Sequence, residues 1–426
     1  MLYQFHEIQR SILSPLSHWA KSASQLYTNP YSPLSYAPGA RRIAATLELT
    51  HRIGKKYEKP EWRIEEVQTP AGPASVTPVL VADKPFCNLI HFEKSLAHQS
   101  APAGPKLLIV APLSGHHATL LRDTVRVMLE HHDVYITDWV DARMVPIEDG
   151  TFSLTSYVGY VQEFIRMLSP DLHLISVCQP TVPVLGAVSL MASQGDPAYP
   201  LTMTMMGGPI DTRVGETGVN DLAKQRDIGW FRRNVVHLVP SNFPGFMRRV
   251  YPGFLQHAGF IAMNPGRHAN SHWDYFQHLV KGGEDESVEA HREFYDEYNA
   301  VLDLDASFYL DTIEVVFQDH LLPRGLWDVN GQRVKPATIQ KTALLTIEGE
   351  LDDISGPGQT EAAHALCTGI PNAHRRHETI EGAGHYGIFS GRRWRSMVAP
   401  KIAAFIAEYE PSPASSTQKR SARRPG

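Results

Sequence analysis

The segment Ser176-Val177-Cys178-Gln179-Pro180 sets a cysteine directly after the apolar run at 172–177 and just before an apolar helical stretch at 182–191. A strand, a sharp turn and a helix in that order hold a nucleophile exposed above the carboxyl ends of parallel strands. In that setting the backbone N–H of Gln179 faces a developing oxyanion, and the dipole of the following helix favours a thiolate at Cys178. Pro180 suits the first turn of that helix, where its missing N–H costs nothing. The segment departs from G-x-S-x-G: Ser176 and Pro180 stand in place of glycines, and cysteine in place of serine. A lone cysteine after an apolar strand is otherwise an inert core residue, so position and company must carry the reading.

The company is a late acid and a later histidine, the chain order of triads built on such an elbow. Residues 343–354 read as a strand, a turn and two carboxylates, Asp352 and Asp353. Residues 378–387 read as a strand and a glycine-rich loop carrying His385. The assignment is Cys178 as nucleophile, His385 as base and Asp352 as the group that orients the imidazole. Asp353 is the nearest rival for the acid. Asp211 is a remoter one, and its alternative is a structural pair with Arg213. The second oxyanion donor is expected from the loop after Ala111-Pro112, from the backbone of Leu113 and Ser114. His116 and His117 continue that loop and either line the site or face solvent, whereas His131 and His132 read as surface residues at a helix end.

Other chemistries lack a motif. The chain has no H-E-x-x-H, no paired C-x-x-C and no Walker A loop, so neither a metal nor a nucleotide cofactor is expected. The three cysteines, Cys87, Cys178 and Cys367, are widely spaced, which argues against a disulfide framework and for a reducing compartment. Net charge is −5 with a pI near 6.5, so no basic field draws the protein to nucleic acid. No apolar run approaches the roughly 18 residues a membrane span needs, and residues 1–11 have no secretory pattern.

The elements that must position these groups follow a strand–loop–helix rhythm. Strands are expected at 76–82, 88–92, 107–111, 133–137, 172–177, 201–206, 343–348 and 376–380, with helices near 119–130, 153–167, 182–191 and 360–367. The alternation predicts a mostly parallel, doubly wound sheet with an inserted helical cap, and the elbow at Cys178 with its triad order makes this an α/β-hydrolase fold. The core is divided into 76–209 and 336–410, and the cap, rich in helix formers and aromatics, is placed at 210–335. Ahead of them residues 1–75 form an arm in which Leu2, Phe5, Ile8, Ile12, Leu16 and Trp19 recur at helical spacing, interrupted or bent at Pro15. Pro30, Pro33 and Pro38 suggest an extended crossing, and 411–426 a disordered tail.

These residues resemble the intracellular polyhydroxybutyrate depolymerases of granule-forming bacteria. The most specific markers are Val177-Cys178-Gln179-Pro180, the run from Gly349 to Gly356, and Gly382-Ala383-Gly384-His385-Tyr386-Gly387. The resemblance implies a cysteine triad of Cys178, Asp352 and His385, cytoplasmic residence on granules, and release of short 3-hydroxybutyrate products. The family is also similar to polyhydroxyalkanoate synthases, whose elbow keeps the glycines that Ser176 and Pro180 replace. Rival readings are a synthase-like acyltransferase, a non-catalytic granule-coat protein and a broad small-ester hydrolase. Water and coenzyme A both stay open as acyl acceptors, and a homo-oligomer stays open too. The apolar stripe of the arm is expected to pack on the protein's own core or a partner subunit, with contact to a hydrophobic granule as the alternative.

Overall fold

Residues 2–96, 99–100, 104–263, 265–282 and 286–411 are described by the structure, a computed structural model. Val/Ile/Leu-rich runs such as Lys106–Val110 and Leu172–Val177 can bury both faces only in the middle of a covered sheet. They do so here. The main sheet runs Glu66–Thr69, Gly72–Lys84, Cys87–Leu96, Asp133–Trp139, Lys106–Val110, Leu172–Val177, Thr202–Met206, Ala343–Gly349 and Arg375–Ile380. The first three pairings are antiparallel and all later ones parallel.

From Lys106–Val110 the chain steps one way to Asp133–Trp139, then returns past its start to Leu172–Val177 and continues outward. Right-handed crossovers therefore put helix Arg122–Leu129 on one face and Leu154–Leu168 with Thr181–Ser193 on the other. Helix Ala399–Glu408 packs beside Arg122–Leu129 and covers that first face. The reversal opens a crevice between the ends of Lys106–Val110 and Leu172–Val177, where the loop 111–118 meets the Cys178 turn. This is the α/β-hydrolase architecture.

Between Thr202–Met206 and Ala343–Gly349 lies a mainly helical insertion. It is not wholly helical: His237–Leu238, Arg249–Tyr251 and Leu304–Asp305 form a small antiparallel sheet. Helix Gly253–Met263 follows the middle strand of that sheet, Arg249–Tyr251, and runs over the crevice, its Gln256 and Phe260 lining the space above Cys178.

The arm differs most from expectation. Leu2–Thr28 is one unbroken helix through Pro15, and a second helix, Ala40–Gly54, pairs with it where the prolines suggested an extended crossing. Tyr3 packs into the core, but the stripe side chains do not. The side buried against Ala40–Gly54 presents Ser17, Ala20 and Ser24, while the stripe from Leu2 to Trp19 faces outward. A strand at Glu66–Thr69 also falls inside the stretch read as arm. His132 corrects another expectation: it is buried, its Nδ1 3.0 Å from the Met128 carbonyl oxygen. The expected helix near 360–367 is reduced to Ala363–Leu366. The tail read as disordered lies, beyond Pro411, outside the described residues. Among the described residues no helix is long and apolar enough to cross a membrane.

Candidate active site

Cys178 stands at the end of a fully buried strand with φ of +68°, a left-handed conformation that a non-glycine residue keeps only when its surroundings enforce it. Its N–H donates to the Met206 carbonyl at 2.7 Å, and its own carbonyl accepts from the Thr181 N–H and hydroxyl at 3.2 and 2.9 Å. Helix Thr181–Ser193 starts there, capped by Pro180. Ser176 fits because its buried hydroxyl donates to the Thr204 carbonyl of the next strand at 3.3 Å. The close approach needed around the turn is supplied from that next strand instead: a Cβ on Gly208 would run into the Thr181 side chain.

Asp352 and His385 sit in loops that leave two adjacent parallel strands, Ala343–Gly349 and Arg375–Ile380. Those loops are lashed together. The Leu351 N–H donates to the Ala383 carbonyl at 2.9 Å, the Gly382 N–H to Glu350 Oε2 at 2.7 Å, and a Cβ on Gly349 would meet Ala383 O at 2.6 Å. Asp352 accepts the Ile354 and Ser355 N–H groups on Oδ1, both at 2.9 Å, leaving Oδ2 for His385 Nδ1 at 2.7 Å. Burial works against a charged imidazole at His385. The attraction of Cys178 and Asp352 and hydrogen bonds to both outweigh it, holding the ring protonated well above its ordinary range.

Asp353 is exposed, and it is Asp352 whose carboxylate lies at His385. Asp211 pairs with Arg213, through Oδ1 to Nε at 2.8 Å and Oδ2 to Nη2 at 2.7 Å.

Leu113 and Ser114 lie on the neighbouring loop and line the same cavity as Cys178, Gln179 and His385. Among the described residues none accepts a hydrogen bond from the backbone N–H of Leu113, Ser114 or Gln179. The Ser114 carbonyl accepts instead from the Gln256 side chain, which packs over Gly115 at φ +99°. His116 is buried, stacked on Phe260 and bonded through Nε2 to the Tyr298 carbonyl oxygen at 3.2 Å, and burial lowers it to about 4. It lines the cavity as a neutral ring. His117 is half-buried and lowered to about 3, burial again being the main cause.

The cavity holds about 550 Å³, with Cys178 and His385 at its floor and Phe231, Phe260, Phe308 and Tyr309 among its walls. Of the aromatics in the inserted stretch, Phe231, Tyr251, Phe260, Phe308, Tyr309 and Phe317 face it. Tyr275, Tyr295 and Tyr298 build the cap's own core with His268, His272 and His291. A thiol, an imidazole and a carboxylate in series beneath an apolar chamber can attack a carbonyl, carry a proton to a leaving oxygen and exclude bulk water.

Four residues of this arrangement escaped the sequence reading. Gly207, at φ +53°, lets the backbone pass so close that a Cβ would lie 3.3 Å from Asp352 Oδ2 and 3.4 Å from His385 Cε1. Gly208 and Gln256 are the other two at the elbow and loop, and a Gly-Gly pair at a strand end was the available signal for both glycines. Glu348 is the fourth. Its buried carboxylate accepts the N–H groups of Gly358, Thr360 and Glu361 at 2.7, 2.6 and 2.9 Å and so holds the loop that carries Asp352. Among the described residues one cluster has metal-ligand spacing, Glu348 with Glu361 and His377, but both Glu348 oxygens serve this backbone role.

Residues 207–410 match the family model described as PHB de-polymerase C-terminus, in line with the resemblance drawn from the sequence. No curated protein matches the chain. Solved structures with a similar fold include a putative lipase from Acinetobacter baumannii, 12% identical, covering 79% of this chain and 92% of that one at a TM-score of 0.42. An esterase from Thermogutta terrifontis is 12% identical over 81% and 98% of the two chains at 0.40. A 2-hydroxy-6-oxo-6-phenylhexa-2,4-dienoate hydrolase from a Rhodococcus species is 13% identical over 78% and 100% at 0.42.

Proposed function

We propose that the protein hydrolyses the ester bonds of native, amorphous poly(3-hydroxybutyrate) granules in the cytoplasm, a reading supported by the match of residues 207–410 to the family model described as PHB de-polymerase C-terminus. The observation that supports this most is the placing of Cys178 and His385 together at the floor of an aromatic cavity, with Asp352 Oδ2 2.7 Å behind the ring at Nδ1. A polyester segment is apolar along its length and carries one ester carbonyl per repeat, which suits a chamber with few polar groups and one nucleophile.

In this reading the Cys178 thiolate, opposite a protonated His385, attacks the ester carbonyl carbon. The backbone N–H of Gln179, with that of Leu113 or Ser114, stabilises the oxyanion. Collapse breaks the C–O bond, and His385 passes its proton to the departing alkoxide, leaving an acyl-thioester on Cys178. Water then gives a proton to His385 and attacks the thioester, releasing the 3-hydroxybutyrate acid end and restoring the thiolate–imidazolium pair. Asp352 keeps the ring in the required tautomer throughout. Coenzyme A could take the place of water at the second step without changing the first.

Purified amorphous granules, incubated with and without coenzyme A and followed by product analysis, test the proposal. Free 3-hydroxybutyrate or its short oligomers are expected, and a coenzyme A thioester if thiolysis competes. Cleavage of soluble esters with inert granules would contradict the polymer assignment. Polymer growth from 3-hydroxybutyryl-coenzyme A would replace it with a synthase.

A further inference from the structure

We infer that the outward face of helix Leu2–Thr28 is an adsorption surface for the uncharged polymer, carried on a helix whose opposite face docks on the roof of the active site. The inference rests on the polyester reading above. Amphipathic helices in soluble proteins bury their large apolar side chains and expose the polar ones. This helix does the reverse. Ser17 and Ser24 are buried, their hydroxyls donating to the carbonyls of His51 and Ala44 at 3.0 Å each, while Phe5, Ile12 and Trp19 are 64%, 70% and 61% exposed. Ile8, Leu16 and Leu26 extend the same stripe, and Leu34 and Tyr36, in the turn packed on this helix, are exposed too. An apolar strip of this length needs a partner.

Charge and spacing select the partner. At 3.6 residues per turn the cations Arg10 and Lys21 lie round the helix from the stripe, whose margins carry Gln4, Gln9, Ser11 and Ser22. Adsorption to anionic lipid uses Lys or Arg flanking the apolar face, which this helix lacks. Pairing with a second copy is also ill served. With Phe5, Ile12, Trp19 and Leu26 as one seam position, the alternate position holds Ile8, Pro15 and Ser22, and no opposite charges flank it to fix register. A flat, uncharged, apolar surface makes neither demand.

The helix is also held next to the site, through the face opposite the stripe. Asp303 Oδ2 accepts the Tyr3 hydroxyl at 2.6 Å while its Oδ1 accepts the Gly253 N–H at 2.9 Å, so one buried carboxylate joins this helix to the start of the roof helix Gly253–Met263. His6 stacks on Phe254 of that roof at 4.0 Å, and Tyr3 meets the same ring edge-on. Polymer adsorbed on the stripe would thus lie one helix diameter, roughly 10 Å, from the segment whose Gln256 and Phe260 line the cavity.

Two variants of the full chain test this: the triple Phe5→Ser/Ile12→Ser/Trp19→Ser, and the single Ile12→Lys, which changes only one highly exposed side chain. Ile147→Ser, an exposed apolar site outside the helix, is the control. The expected result is at least a tenfold loss of cosedimentation with amorphous poly(3-hydroxybutyrate) granules for the triple variant, and a smaller loss for Ile12→Lys. Cleavage of a soluble 3-hydroxybutyrate ester should stay within about twofold of wild type, and Ile147→Ser should adsorb normally. If Ile12→Lys and the triple variant adsorb as wild type while granules are still degraded, the surface assignment fails and the depolymerase reading stands. If the wild type neither adsorbs to nor degrades granules, both fall. Tighter binding to phosphatidylglycerol vesicles than to granules would overturn the assignment in favour of lipid. A shift from dimer to monomer in the triple variant with adsorption retained would overturn it in favour of a second copy.

Discussion

Replacing Asp352 by asparagine should separate chemistry from stability, because the two carboxylate oxygens do different work. Oδ1 accepts the Ile354 and Ser355 N–H groups, and an asparagine oxygen can keep both. Oδ2 accepts from His385 Nδ1 at 2.7 Å, and the asparagine NH₂ placed there can only donate. The ring must then present a lone pair at Nδ1 and carry its proton on Nε2, so it can neither stand as imidazolium opposite Cys178 nor accept the proton of the attacking water at Nε2. Tautomer loss of this kind costs up to roughly 10⁴ in turnover in a related triad, about 5.5 kcal/mol of transition-state stabilisation. Folding should lose only about 1.5–3 kcal/mol, the value of one charge-assisted hydrogen bond. Asp352→Ala removes the acceptor from two N–H groups as well and should cost a further ~1–3 kcal/mol. Turnover of a soluble 3-hydroxybutyrate ester and urea unfolding of the same preparations measure both. Asp352→Asn retaining more than about a tenth of wild-type turnover, or Asp353→Ala losing more than Asp352→Ala, would refute the reasoning.

Three further outcomes follow from the same geometry. Gly207→Ala forces a left-handed residue, at roughly 1 kcal/mol, and sets a methyl 2.8 Å from Ile388 Cδ1 and 3.3 Å from Asp352 Oδ2; turnover should fall at least about tenfold, and kinetics within twofold of wild type would show that the dyad has slack. His116 is lowered from 6.5 to about 4 by burial, with a smaller contribution from His257, so between those values the unfolded chain binds a proton the folded one does not. Stability therefore rises with pH across that window and levels above it. Relative to His116→Leu, the wild type should lose on the order of 3 kcal/mol as pH falls from 6.5 to 4, and parallel stability curves would contradict this. Thiol alkylation should inactivate in step with modification of Cys178, since Cys87 and Cys367 are buried and burial raises both thiols, Cys367 to about 12; peptide mapping at half-inactivation reads the site directly.

The parts of the site carried by local patterns were legible in the sequence. A buried strand followed by a turn and a helix announces the elbow at Cys178, a late strand ending in a turn with two carboxylates announces Asp352, and a later strand with a glycine-rich loop announces His385, because each needs only about ten contiguous residues. What depends on distant packing was not legible. Gln256 reaches a carbonyl 142 positions away in sequence. Helix Ala40–Gly54 escaped because the face it buries is made of Ala40, Ala44, Ala45 and Arg52, which give no apolar stripe to count. The stripe on Leu2–Thr28 was read correctly as a stripe, but periodicity reports only which residues share a face, not whether the fold covers it. His132 shows the converse: a polar pair at a helix end hides one ring because the helix's own Met128 carbonyl satisfies it.

The central claim is that Cys178 itself forms the acyl intermediate. Rapid acid quench of the protein turning over a short 3-hydroxybutyrate ester, followed by peptide mass spectrometry, reads it most directly. The account predicts a single hydroxybutyryl adduct on the peptide containing Cys178, removed by hydroxylamine and absent from Cys178→Ala, which should also be inactive. An adduct on another residue, or Cys178→Ala turning over at near-normal rate, would contradict it.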